Sequence, residues 1–79
     1  MLPLFLGIHI LYSQNSSAAL KTAALMEKQG NLENAVAIYE GLLNNEPKNL
    51  KAYQKLKNVY KKLGNYSKTV LLIKEHIKL

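Results

Sequence analysis

Two stretches of this 79-residue chain repeat at a spacing of 34 residues, and that offset restricts the fold more than any other feature. Gly30-Asn31-Leu32 recurs as Gly64-Asn65-Tyr66, and Ala18, Lys21, Lys28 and Val36 recur as Ala52, Lys55, Lys62 and Val70. Apolar classes align at the same offset: Leu25 with Val59, Met26 with Tyr60, Ile38 with Leu72, and Leu43 with Ile77. Self-similarity at a period of about 20–50 residues marks stacked units, none of which can bury its apolar face alone. Stacked units of this kind serve as binding surfaces more often than as catalysts.

The helical period runs through both copies. Apolar residues recur near every 3.6 positions from Ser16 to Gln29, from Leu32 to Asn44, from Leu50 to Leu63, and from Tyr66 or Ser67 to the end. Gly30-Asn31 and Gly64-Asn65 end the first and third of these segments, because glycine accepts the left-handed conformation that closes a helix. Asn45-Glu46-Pro47 stops the second, since proline cannot continue a helix. No segment alternates with the two-residue period of a strand. The expected fold is all-α, two antiparallel helix pairs in tandem.

Residues 1–15 stand apart. Met1–Tyr12 carries no charged side chain and is shorter than the ~20 residues a membrane-spanning helix needs. Its length fits the apolar core of an export signal, and Ser13–Ala18 fits a cleavage region, but no lysine or arginine precedes it. Two readings follow. The segment is either a signal remnant, which makes the protein exported, or an apolar cover on the first helix pair of a cytoplasmic protein.

Charge is uneven. Residues 1–49 hold three lysines and four glutamates, a net −1; residues 50–79 hold eight lysines and one glutamate, a net +7. There is no arginine, the preferred residue for bidentate phosphate and guanine contacts, which argues against specific nucleic-acid recognition. There is no cysteine for a disulfide or a thiolate metal site, and His9 and His76 have no acidic or histidine neighbour at ligand spacing. No nucleophile stands beside a base, and no glycine-rich phosphate loop is present. The expectation is a non-enzyme with no cofactor and no metal.

These residues resemble the tetratricopeptide repeat, a helix–turn–helix unit of 34 residues. Gly30, Leu32, Ala35, Tyr39 and Pro47 match its pattern in residues 16–49; Tyr53, Leu56, Tyr60, Gly64, Tyr66 and Thr69 match it in residues 50–79. Ala19, Thr22, Lys57 and His76 depart from the favoured residues, and Thr69 is slightly larger than the favoured alanine. The resemblance implies a fragment of an α-solenoid with two repeats, the second truncated, and a scaffold that binds a peptide segment or a neighbouring subunit on its concave face. It implies that the first helix of each unit lines that face. In the second unit this selects Lys51, Gln54, Asn58, Lys61 and Lys62, which share one polar helical arc and suit an acidic peptide. The bland reading of the same lysines is a solvated face. The first unit offers Ser17, Leu20, Ala24, Glu27 and Lys28 there, without the asparagine and basic pair that a carboxylate clamp needs. The alternative function is a non-catalytic binder of nucleic acid or anionic surfaces through the lysine-rich C-terminal half. Val70-Leu71-Leu72-Ile73 points apolar groups in all directions, so self-association through the last helix is also expected.

Overall fold

The computed structural model describes residues 16–78. They form four helices: α1 (Ser16–Lys28), α2 (Leu32–Asn45), α3 (Leu50–Lys62) and α4 (Tyr66–Ile77). Each packs against the next, and no strand occurs among the described residues. The expected all-α class agrees with this, and so do the helix boundaries to within about a residue, except that the last helix ends at Ile77 and not at the end of the chain. The apolar segment 1–15, read as signal or cover, lies outside the described residues.

The two Gly-Asn turns are built alike. Gly30 has φ +79° and Gly64 φ +72°, the left-handed region that a side chain disfavours. The Gly30 N–H donates to the Glu27 carbonyl at 3.0 Å and the Asn31 N–H to the Met26 carbonyl at 2.8 Å. The Gly64 N–H donates to Lys61 at 2.9 Å and the Asn65 N–H to Tyr60 at 2.9 Å. This paired closure uses carbonyls that the end of a helix otherwise leaves unpartnered. A Cβ added at either glycine would meet nothing within 4 Å. The cost of Gly30→Ala or Gly64→Ala is therefore conformational alone, about 1–2 kcal/mol each. Chemical denaturation should show both losses, and the double variant should show their sum.

The helix starts differ where the sequence does not. The Asn65 side chain accepts from the Lys68 N–H at 3.2 Å, and that of Asn49 accepts from the Ala52 N–H at 3.1 Å. Asn49 also donates to Glu46 Oε1 at 2.9 Å, which ties the Pro47 turn to α3. Asn31 makes no such cap; its amide reaches Met26 Sδ at 3.7 Å instead. Asn49→Ala and Asn65→Ala should each cost about 0.5–2 kcal/mol, and Asn31→Ala clearly less, when midpoints of unfolding are compared.

Small residues let the helices approach. Ala23 of α1, Ala35 of α2 and Ala52 of α3 are fully buried, around Tyr39, Leu42, Leu56, Val59 and Tyr60. Ala35 recurs 34 residues later as Thr69, also buried, whose hydroxyl donates to the Asn65 carbonyl at 2.9 Å and so brings no unpaired polar group into the core. Two phenols join neighbouring helices. Tyr39 Oη of α2 donates to Glu27 Oε2 of α1 at 2.6 Å, and Tyr60 Oη of α3 donates to Glu40 Oε2 of α2 at 2.5 Å.

Outside α4, Leu25, Leu50 and Leu63 are the large apolar residues exposed among the described residues. Leu63 caps α3 beyond its last turn and is exposed. Leu25 is exposed on a side of α1 that no other described helix covers. On α4, Leu72 and Ile73 are half-buried while Val70, Leu71 and Ile77 face outward, as four consecutive apolar residues at 100° intervals require.

Candidate functional site

Lys51, Gln54, Asn58, Lys61 and Lys62 are all exposed on α3. On the helical wheel they fill an arc opposite the buried Ala52, Leu56, Val59 and Tyr60. The same division that buries α3 therefore aims its ammonium and amide groups at solvent. Lys55 lies at the edge of this arc and is also exposed.

One contact links this arc to α1. Lys62 Nζ lies 3.3 Å from Glu27 Oε1, while Glu27 Oε2 accepts from the Tyr39 phenol. The Glu27 side chain is only 14% exposed, against 57% for Lys62. Glu27 is thus a held carboxylate between two donors, with Lys62 reaching across from α3. The pair is surface-facing on the lysine side and contributes about 0–1 kcal/mol, so its meaning is geometric more than energetic. It puts a position expected on the binding face of the first unit beside one from the second. Of the other positions from the first unit, Ser17 and Lys28 are exposed, and Leu20 and Ala24 are half-buried.

Burial is the main cause that raises the Tyr39 and Tyr60 phenols above the ordinary tyrosine range, followed by the hydrogen bonds and negative charges of Glu27 and Glu40. Both phenols are held protonated as donors, which suits positioning and not proton transfer near neutral pH.

A shallow depression lies away from the lysine arc. Leu43 and Asn44 of α2, Pro47 of the turn that follows, Tyr53 of α3, and Leu72, Glu75 and His76 of α4 line it. The His76 imidazole stacks on the Tyr53 ring at a centroid distance of 3.9 Å and 15° between planes. Lys57 Nζ stands 5.2 Å from the centroid of the same ring, and Lys68 Nζ stands 5.9 Å from that of Tyr60. The Tyr53–His76 pair spans 23 positions of sequence, and no local pattern announces it. His76 is half-buried and packs on the Tyr53 ring.

Among the described residues no group of three His, Cys, Asp or Glu side chains could hold a metal ion, and no helix is long and apolar enough to cross a membrane. No family model, curated protein or solved structure matches this chain.

Proposed function

We propose that this chain is a protein-interaction module, built of tetratricopeptide-like helix pairs in an α-solenoid arrangement, that receives an acidic peptide segment along the exposed faces of α1 and α3. The observation that carries the reading is the Lys62–Glu27 contact, which makes neighbours of the polar arcs of α1 and α3. Lys51 and Lys61 supply free ammonium groups to peptide carboxylates, while Gln54 and Asn58 supply amides that pair with peptide backbone. Lys62 is engaged by Glu27 and acts as a positioning residue. The first unit offers Glu27 and Lys28 where a symmetric carboxylate clamp would need an asparagine and a basic pair, so the ligand is gripped mainly from α3.

A second reading has its own support: Lys55, Lys57, Lys68, Lys74 and Lys78 lie outside the proposed contact set, and the half from residue 50 onward carries +7. Diffuse charge of this kind attracts polyanions without a defined site. Titration of a labelled acidic peptide and of a single-stranded DNA oligomer at rising salt separates the two. Peptide binding should weaken at least tenfold in Lys51→Glu and in Lys61→Glu, stay close to parental in Lys74→Glu, and persist at salt that removes the DNA. Equal losses across all three variants, with a steep salt slope for both ligands, would favour the polyanion reading and reject the peptide site.

A further inference from the structure

The 34-residue offset equates α1 with α3 and α2 with α4, position by position, yet two matched sets of residues differ in burial. Ala52, Leu56 and Val59 of α3 are buried; their counterparts Ala18, Thr22 and Leu25 on α1 are exposed, Leu25 at 52%. Leu32, Val36, Tyr39 and Leu43 of α2 all pack into the core. Their counterparts Tyr66, Val70, Ile73 and Ile77 form a stripe along α4 at spacings of four, three and four residues. Of these, Tyr66, Val70 and Ile77 are 69%, 50% and 76% exposed.

The cause is the order of the helices. α3 has α2 before it, and α2 has α3 after it, so each covers the other. Among the described residues no helix precedes α1 and none follows α4. The open face of α1 is therefore the counterpart of the α3 half of the α2/α3 joint, and the open face of α4 is the counterpart of its α2 half. The two faces are complementary by the repeat itself.

We propose that copies of this chain join head to tail, with the Tyr66–Val70–Ile73–Ile77 stripe of one copy seated on the Ala18–Thr22–Leu25 face of the next. Pairing of two α4 helices would bring Lys68, Lys74 and Lys78 against their own copies, whereas α1 offers only Lys21, Glu27 and Lys28, a net +1, so the head-to-tail joint sets fewer like charges together. Thr22 in place of Leu56 makes the joint less apolar than the one it imitates, so association is weaker than the internal packing and depends on concentration. Such an interface is heterologous: unless the rotation closes a ring, each added copy leaves a free end. Neither face includes the lysine arc of α3 or Glu27 and Lys28 of α1, so assembly and peptide capture use different residues and are lost separately.

Two single variants of the full chain test this. Leu25→Lys blocks the head and Val70→Lys blocks the tail, and both positions are at least half exposed, so helical circular dichroism should match the parent. Sedimentation should show parental mass rising with concentration, and each variant alone monomeric over a range at least tenfold higher. An equimolar mixture should form a 1:1 dimer and nothing larger, because one free head meets one free tail. Assembly of Leu25→Lys like the parent would overturn the proposal in favour of α4–α4 pairing. A parent that stays monomeric throughout, as when residues 1–15 cover one of the faces, would overturn it too, as would a monomeric mixture. Thr22→Lys with Ile77→Lys repeats the experiment on a second pair, should either first variant lose helicity.

Discussion

Tyr39→Ala is expected to cost about 3–5 kcal/mol, the range for removing a large buried aromatic side chain. Tyr39 is fully buried on α2 and its phenol holds Glu27 of α1, so the substitution empties the core and strips a buried-side partner from a carboxylate at once. Small domains have total stabilities near the low end of about 5–15 kcal/mol, so this variant should be largely unfolded at ambient temperature by circular dichroism. Tyr39→Phe keeps the ring and loses only the hydrogen bond to a charged acceptor, about 1.5–3 kcal/mol. A Tyr39→Ala midpoint close to that of Tyr39→Phe would mean that the ring is not where the core depends on it. The same phenols set an alkaline limit. Because the folded state holds Tyr39 and Tyr60 protonated above the ordinary value near 10, the unfolded chain releases those protons first. Stability is then full below that pH and falls as pH rises above it. Tyr39→Phe should soften the fall by removing one of the two groups.

Ala35→Leu is the second large expected effect, about 1–3 kcal/mol of destabilisation through overpacking. Ala35 has no exposed surface and lies in the core with Ala23, on helices α1 and α2 that pack directly. Added methyl groups can be placed only by moving one helix off the other. Ala35→Gly tests the same site from the other side, since it removes volume and costs backbone entropy but pushes nothing apart. A thermal melt of Ala35→Leu that matched the parent would show that the α1–α2 contact lies elsewhere.

The helices themselves were readable from sequence because their ends carry specific chemistry. Gly30 and Gly64 accept a backbone that other residues resist, and Pro47 forbids continuation, so three boundaries follow from residue type. What did not follow is what depends on neighbours in space. Leu25 and Val59 are alike in class and matched in register, but only Val59 has a helix on each side. Asn31 and Asn65 occupy the same place in the repeat, yet only Asn65 caps its helix, while the Asn31 amide points to Met26 Sδ. The bonds from Tyr39 to Glu27, Tyr60 to Glu40 and Lys62 to Glu27 cross 12, 20 and 35 positions, and no local period signals them. The lysine arc of α3 was legible because a helical wheel needs only one helix; that Lys62 is engaged by α1 was not, because it needs two.

Backbone amide mapping by heteronuclear NMR, with an acidic peptide added to the full chain, tests the proposed face most directly. The peptide-face account predicts shifts concentrated at Lys51, Gln54, Asn58 and Lys61 of α3 and around Glu27 and Lys28 of α1, with the α4 stripe of Val70 and Ile77 unaffected. Shifts spread evenly over the lysines of α3 and α4, or gathered around Tyr53 and His76, would contradict it.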